Sequence, residues 1–466
     1  MKKTYLLFPI LIYLTIGKLN AQYKDLFNFT NSTANMPYNN VTVVGHLLYG
    51  MTYAGGAHNK GAIFSIDTNG TGYRDLLDFN GINGSNPQAA LTFYNNKLYG
   101  MTWQGGAHDS GCIFSIDTNG NGYHDLFDFS GPNGANASNT LSISGKVMYG
   151  MVFQGGANHY GCAFSIDTDG RNYKDLLDFN GLNGEFTYGS LTLIKGSLYG
   201  MAASGGLNGF GVLFSIDTAG GGYRGLYNFN GTDGAYPYGS LLFSGNKFYA
   251  TTTYGGSSGN GNVFSIDTNG SGFKNLHDFQ GSDGVNPEGS LILLGKKMYG
   301  LTAAGGAYAG GDIFVIDTNG SNFKDQYDFC SSSGNGPEGS LVAMGKLLYG
   351  MTPFCGTSDM GNVFSFDTTD FFASVNNIAA TKESINVYPN PSNGTFNLQI
   401  VNAKLLMVNN EIQVYNMLGE QVYAQYSLPN TQYSIDLSSQ PSGVYLYRVI
   451  TQDGSLVGTG KLMIQK

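Results

Sequence analysis

The chain has 466 residues, of which 70 are glycine; 12% are charged and 14% are aromatic. Glycine is about twice as frequent as in an average protein, but it does not recur at every third position, which excludes a collagen-like triple helix. The high aromatic content excludes a disordered chain. The net charge of −9, spread without a basic cluster, argues against a nucleic-acid partner.

Residues 1–21 have the pattern of a secretory signal peptide. Lys2 and Lys3 precede an apolar run at residues 5–16, and a cleavage motif ends at Ala21. The apolar run is too short to span a membrane comfortably, and no later segment reaches spanning length. We therefore expect an exported protein without a transmembrane segment.

The next part of the chain repeats with a period of 50 residues. In the second copy, four strand-like stretches occupy residues 90–94, 97–103, 112–117 and 123–129. Four short strands per repeat are typical of a propeller blade, so residues 22–369 are predicted to form a seven-bladed β-propeller. FSIDT motifs or close variants begin at Phe64, Phe114, Phe164, Phe214, Phe264, Phe314 and Phe364, and motifs similar to LYGM end at residues 51, 101, 151, 201, 251, 301 and 351.

The two ends of the repeat array complement each other. The segment at residues 23–29, YKDLFNF, matches the fourth strand of a repeat but precedes the first complete one. The seventh repeat stops after FSFDT and lacks that strand. The N-terminal segment is therefore predicted to complete the last blade and close the ring, which removes the exposed strand edges of an open array.

The repeat itself resembles a known family. Residues 98–120, LYGMTWQGGAHDSGCIFSIDTNG, are similar to the glycine-rich GloVer tandem repeat of secreted bacterial proteins. The resemblance covers all seven repeats. It implies a propeller-like fold and brings no established activity with it.

After residue 369 the 50-residue period ends. Residues 370–384 are predicted to form a linker. Residues 385–466 contain less glycine and show about seven alternating strand patterns, which indicate a small Ig-like β-sandwich. The predicted fold class of the whole chain is therefore all-β.

Four motifs run in order through residues 385–466: VYPNPSNGTF, VYNMLGE, IDLSSQPSGVYLYRV and the final KLMIQK. Together they resemble the type A C-terminal sorting domain of the type IX secretion system. The residues that carry this resemblance are Pro389, Asn390, Pro391, Gly394, Gly419, Gly443, Tyr445 and Lys466. It implies an origin in Bacteroidota, export by the type IX machinery, removal of the domain, and often attachment to surface lipopolysaccharide. An ordinary binding sandwich is the alternative.

Residues present in every repeat are expected to be scaffold, because a ring rarely contains seven identical active sites. Asp67 of the first FSIDT motif and the loop at residues 178–184 are expected to cap turns through their side-chain oxygens. Calcium binding at such loops is the alternative, although they lack the alternating acidic ligands of an EF-hand. No other metal or cofactor is predicted.

The long connections of an up-and-down blade, second to third strand and fourth to first, emerge on one face. Loops on a rigid scaffold commonly carry function, so we predict the ligand site on this long-loop face. The candidates there are Tyr53, His58, Trp103, Gln104, His108, Phe153, Gln154 and His159. Aromatic faces with amide and imidazole groups suit a glycan or a peptide ligand. Packing of the aromatic residues between blades is the alternative.

Catalysis has little support in the sequence. The chain has no GxSxG, P-loop or HExxH motif. Acids that break the repeat pattern include Glu185, Glu288, Asp312 and Glu338, but nothing in the sequence pairs them. The predicted function is therefore that of a monomeric binding protein, secreted or held at the outer-membrane surface. A polysaccharide-acting enzyme and a structural surface protein are the alternatives.

The four cysteines divide into two pairs. Cys330 and Cys355 replace an Asn and a Gly of the repeat in two long loops, and we predict a disulfide between them in an oxidising compartment. Cys112 and Cys162 occupy the same strand position in neighbouring repeats and are expected to be buried free thiols.

Overall fold

A computed structural model describes residues 22–30, 33–369, 385–400, 410–416, 421–428, 432–451 and 456–466. The predicted signal peptide, the predicted linker and Gly419 lie outside these ranges. The chain divides into two compact units, with the division after Thr369. All named elements of the described ranges are β-strands, which confirms the all-β prediction.

The first unit contains seven four-stranded antiparallel sheets, the blades of a β-propeller. It starts with strand β1 (Tyr23–Asn28). Blade 1 contains β2 (Thr42–Val44), β3 (Leu47–Thr52), β4 (Ala62–Asp67) and β5 (Arg74–Asp78); blade 2 contains β6 (Thr92–Tyr94), β7 (Lys97–Met101), β8 (Cys112–Asp117) and β9 (His124–Asp128). Blade 3 contains β10 (Ser142–Ser144), β11 (Val147–Val152), β12 (Cys162–Asp167) and β13 (Lys174–Asp178); blade 4 contains β14 (Thr192–Ile194), β15 (Ser197–Ala202), β16 (Val212–Asp217) and β17 (Arg224–Asn228).

The remaining blades repeat this arrangement. Blade 5 contains β18 (Leu242–Ser244), β19 (Lys247–Thr252), β20 (Asn262–Asp267) and β21 (Lys274–Asp278); blade 6 contains β22 (Ile292–Leu294), β23 (Lys297–Thr302), β24 (Asp312–Asp317) and β25 (Lys324–Asp328). Blade 7 contains β26 (Val342–Met344), β27 (Leu347–Thr352) and β28 (Asn362–Asp367), and its fourth strand is β1.

The ring is closed by this fourth strand of blade 7. β1 pairs antiparallel with β28, so that Asn28 lies opposite Asn362, and the register shifts once along the pair. In blade 1, Asp78 lies opposite Ala62 in the equivalent pair, with the same kind of shift. The N-terminal strand therefore takes the register of an ordinary fourth strand. The predicted seven-bladed propeller with N-terminal closure is confirmed.

The apolar cores between blades explain the repeated phenylalanine and glycine. Phe64 is fully buried, and a Cβ atom on Gly50 of the opposite strand would lie 2.5 Å from its ring. Glycine at this position therefore leaves the space that the ring occupies. Phe79 at the end of blade 1 contacts Phe114 of blade 2 edge to face at 5.5 Å, and this contact joins one blade to the next.

Hydroxyl groups join the inner edges of the blades. The main-chain N–H of Ser190 donates to Oγ of Ser240 at 2.8 Å, and the same bond runs from Ser240 to Ser290 and from Ser290 to Ser340. These repeated serines are therefore scaffold. They hold the segment just before each first strand against its neighbour around the axis.

The second unit consists of two antiparallel sheets around one apolar core. One sheet has the order β29 (Ile385–Tyr388), β30 (Thr395–Ile400) and β33 (Gln432–Asp436). The other has the order β32 (Gln421–Leu428), β31 (Asn410–Tyr415), β34 (Gly443–Thr451) and β35 (Leu456–Ile464). Phe396 and Ile435 of the first sheet share the core with Val414 and Leu462 of the second. The Ig-like topology stays a prediction.

Candidate ligand site

A cavity of about 520 Å³ lies where the segments before the seven first strands meet, and every blade contributes to its wall. Trp103 and Phe153, from the connections between second and third strands, also line it. The cavity therefore opens on the long-loop face. Its volume is in the range of small-molecule sites, which span roughly 300–1,000 Å³.

One repeat position supplies most of the chemical variety of this wall. This position lies two residues before that of Ser190 and its counterparts in the other repeats. All seven of its residues line the cavity: Tyr38, Gln88, Ser138, Tyr188, Tyr238, Glu288 and Glu338. The backbone recurs while the side chain changes from blade to blade. Variation at a fixed place in a repeat is the sequence signal for these residues; it singles out Glu288 and Glu338 as acids but does not connect them with Tyr38, Tyr188 and Tyr238.

Four aromatic side chains form a continuous arc along one side of the cavity. The ring centroids of Trp103 and Phe153 are 5.3 Å apart, and those of Phe153 and Tyr188 are 4.9 Å apart. Tyr188 then contacts Tyr238 at 4.3 Å. We call these four residues the aromatic arc. Its members come from blades 2 to 5, so the arc exists only because the blades are arranged in a ring.

Two glutamates from adjacent blades follow the aromatic arc around the wall. Burial, together with the negative charge of Glu338, raises the pKa of Glu288 to about 8. Burial raises the pKa of Glu338 to about 7. Both carboxyl groups also raise the pKa of Tyr188, after the larger effect of its burial. At neutral pH the pair retains about one proton, so it can both donate and accept hydrogen bonds.

The residues predicted for the ligand site are divided by the structure. Trp103 and Phe153 line the cavity, and Tyr53 packs edge to face on the cavity residue Tyr38 at 5.4 Å. The polar candidates are exposed and lie outside the cavity wall: His58, Gln104, His108, Gln154 and His159. Binding by any of these residues stays a prediction.

The repeated acidic turns use their oxygens within the scaffold. Oδ1 of Asp217 accepts the main-chain N–H groups of Ala219 at 3.0 Å and Gly221 at 2.8 Å. Oδ1 of Asp178 accepts the N–H of Ala157 at 2.7 Å. The Asp217 bonds cap its own turn, as expected from the sequence. Asp178 instead accepts the N–H of the loop between β11 and β12, and within residues 178–184 it is Oδ1 of Asn180 that accepts the N–H of Asn183 at 3.0 Å.

The predicted disulfide is not formed in the structure. Cys330 and Cys355 are both free thiols. Sγ of Cys330 lies 3.2 Å from the hydroxyl of Ser332 and 3.4 Å from that of Ser333, in its own turn. A disulfide between Cys330 and Cys355 stays a prediction. Cys112 and Cys162 are buried free thiols.

Motif residues of the second unit form hydrogen bonds between its first and last segments. The Asn390 side chain donates to the carbonyl of Lys461 at 2.6 Å and accepts the N–H of Met463 at 2.9 Å. The Tyr445 hydroxyl donates to the carbonyl of Pro441 at 2.9 Å. Pro389 and Pro391 follow cis peptide bonds, and Gly443 is the first residue of β34. The carbonyl of Gly394 accepts the N–H of Leu437. The amine of Lys466 donates to the carbonyl of Ser438.

The fold and the cavity define the class of protein: a closed seven-bladed propeller with an axial cavity, followed by a separate β-unit. The model of the Gloeobacter/Verrucomicrobia repeat matches residues 14–119, 90–246 and 224–395. This is more than half of the chain, and the protein belongs to that repeat family. The secretion system C-terminal sorting domain matches residues 386–465.

The sorting domain places the protein among type IX cargo, exported to the cell surface or secreted. Within the described ranges, no helix is long and apolar enough to cross a membrane. No curated protein matches the sequence.

The solved structures similar to this chain match it at low sequence identity and with TM-scores below 0.5. The extracellular domain of a putative hybrid two-component system from B. thetaiotaomicron matches with 11% identity and a TM-score of 0.47, over 95% of this chain and 57% of that one. A polysaccharide lyase matches with 10% identity and a TM-score of 0.44, over 76% and 94%. A β-xylosidase/α-arabinofuranosidase from a compost metagenome matches with 13% identity and a TM-score of 0.29, over 54% and 92%.

Proposed function

We propose that the propeller binds an uncharged glycan in its axial cavity after export. The observation that carries this proposal is the aromatic arc beside the partly protonated pair Glu288 and Glu338. Aromatic faces pack on the apolar faces of sugar rings. Carboxyl groups that can donate and accept hydrogen bonds match sugar hydroxyls, which do the same.

The charge of the wall selects among ligand classes. Among the described residues that line the cavity, none is Lys, Arg or His. A uronate or a sulfated polysaccharide would therefore enter without a counter-charge and would face the carboxyl pair. A neutral oligosaccharide is favoured, and a peptide ligand is the alternative within the same cavity.

The export route supports the same function. A type IX sorting domain brings the propeller to the cell surface or the medium, where polysaccharides are encountered. The signal peptide at residues 1–21, the origin in Bacteroidota and the attachment to surface lipopolysaccharide belong to this proposal.

Trp103 is the only tryptophan of the chain and lines the cavity, so its fluorescence reports ligand binding. We expect neutral cello-, xylo-, manno- or chito-oligosaccharides to change this fluorescence in the full chain. Tyr188→Ser and Tyr238→Ser should each weaken the binding by at least about 10-fold, because each removes a central stacking surface. Serine is tolerated at this repeat position, since blade 3 carries Ser138 there.

Tyr308→Ser is the matched control, because Tyr308 lies on a long loop, is 69% exposed and lies outside the cavity wall. Its binding should equal that of the wild type. If peptides bind and neutral oligosaccharides do not, or if Tyr308→Ser weakens binding as much as Tyr188→Ser, the proposal is wrong. Absence of any ligand would favour a structural surface protein.

The carboxyl pair also supports a second candidate function, hydrolysis of a glycosidic bond. Glu288, with its raised pKa, would donate a proton to the leaving oxygen, and ionised Glu338 would activate the water or attack the sugar. We expect this enzyme to release new reducing ends from an oligosaccharide that it binds. Glu288→Gln should abolish the release, while Trp103 fluorescence still reports binding. Bound oligosaccharides that stay intact would decide for binding alone.

A further inference from the structure

Blade 6 differs from the other blades at the first residue of its third strand. The equivalent residues in blades 1 to 7 are Ala62, Cys112, Cys162, Val212, Asn262, Asp312 and Asn362. Only blade 6 places an acid there, and Asp312 is fully buried. A buried carboxylate is costly unless it is paired or binds a cation, so this exception needs a physical reason.

Asp312 is not alone in this place. One carboxylate oxygen each from Asp312, Asp325 and Asp328 lie within 4.8 Å of one another. Asp325 and Asp328 are half-buried, and Oδ1 of Asp325 is buried like that of Asp312. Gly306 lies beside it with a φ of +74°, and a Cβ there would collide with the Oδ1 atoms of both Asp312 and Asp328. The main chain thus approaches two carboxylates as closely as glycine allows.

Oδ1 of Asp312 is buried, and no hydrogen-bond donor from the described part of the chain reaches it. The other oxygen, Oδ2, accepts the hydroxyl of Thr302 at 3.2 Å. In blade 5, the amide of Asn262 fills the equivalent place by donating to the carbonyl of Asp233 at 3.0 Å. An ionised aspartate cannot donate in this way, so Oδ1 of Asp312 is left with carboxylates as its neighbours.

We propose that Asp312, Asp325 and Asp328 bind a calcium ion. Calcium prefers oxygen ligands in an irregular shell at 2.3–2.6 Å, so two ligands on opposite sides of the ion are about 4.8 Å apart. The three carboxylates meet both conditions. The ion would be the partner that Oδ1 of Asp312 otherwise lacks. Because Asp312 lies in β24 and the other two aspartates lie in β25, the ion would also link these two strands beside Gly306.

The proposal is tested by calorimetric titration of CaCl₂ into the full chain after treatment with a chelator. We expect one calcium ion per chain. Asp312→Asn should weaken binding by more than the roughly 10–100-fold that loss of an outer-shell partner costs. This variant should fold, because blades 5 and 7 carry asparagine at this position, and Trp103 fluorescence checks that it does. Asp312→Ala, which copies blade 1, is the second variant.

Asp278→Asn is the matched control. Asp278 is the counterpart of Asp328 in blade 5, and blades 4 and 7 carry asparagine at that position, so calcium binding should be unchanged. Two results would overturn the proposal: no calcium bound at millimolar concentration, or binding that Asp312→Asn leaves intact. Burial and the neighbouring carboxylates raise the pKa of Asp312 to about 8. If Asp312 instead keeps a proton and the cluster binds no calcium, the free energy of unfolding should fall as the pH rises through about 8.

Discussion

Replacing Phe29 with alanine is expected to lower the free energy of unfolding of the propeller by about 3–5 kcal/mol. Phe29 directly follows the closing strand β1 and is fully buried. Its ring contacts Phe64 of blade 1 edge to face at 5.2 Å, and its N–H donates to the carbonyl of Gly361 in blade 7. Truncation leaves a void where the last blade meets the first, because the surrounding strands relax only partly. Urea unfolding followed by Trp103 fluorescence measures the loss.

Two other phenylalanines calibrate this result. Phe79→Ala removes the equivalent ring after the fourth strand of blade 1, where it contacts Phe114, and should cost a similar amount. Phe93→Ala removes a ring that is 36% exposed and should cost less than about 1 kcal/mol. A Phe29 variant that behaves like the Phe93 variant would show that the closing strand does not hold the ring together.

Glu288 is expected to make the propeller less stable as the pH rises from about 5 to 8. Burial, reinforced by Glu338, raises the pKa of Glu288 from its ordinary 4.5 to about 8, so the folded state holds a proton that the unfolded state has released. The stabilisation is complete below the ordinary pKa and is lost as the pH rises through about 8. In the wild type, the free energy of unfolding should fall across this range by at least about 1.4 kcal/mol more than in Glu288→Gln, the equivalent of one pKa unit.

Urea unfolding of both proteins at pH 5, 6.5 and 8 measures this difference. Glu185→Gln is the control, because Glu185 lies outside the cavity wall and burial alone raises its pKa. Its pH profile should stay closer to that of the wild type. Parallel profiles for the wild type and Glu288→Gln would mean that the cavity does not retain the proton of Glu288.

The architecture of the propeller was predictable because its causes are local and repeated. A strand pattern that recurs every 50 residues specifies the same blade each time. The segment at residues 23–29 has no repeat of its own, and the last repeat lacks a fourth strand, so the segment was expected to supply that strand. The sorting motifs were likewise read from short segments. For the same reason, the long loops could be placed on one face of the ring, and Trp103 and Phe153 of these loops line the cavity.

The lining of the axial cavity was only half predictable. Trp103 and Phe153 stood out because they break the repeat, but His58 and its counterparts broke it equally well and lie outside the cavity wall. The assembled ring decides which of these residues line the cavity, and a single repeat carries no information on that. The pairing of Cys330 with Cys355 stays a prediction, since a linear sequence does not determine which way a thiol points.

The sequence by itself determined the number of blades, the closure of the ring and the export route, because each follows from local patterns. Only the tertiary structure decided which side chains act together. Glu288 and Glu338 are 50 residues apart in the chain, and the curvature of the ring brings them to one cavity wall. Asp312 joins Asp325 and Asp328 because two neighbouring strands of one blade align. In both cases, pairing depends on register and curvature, which no single segment encodes.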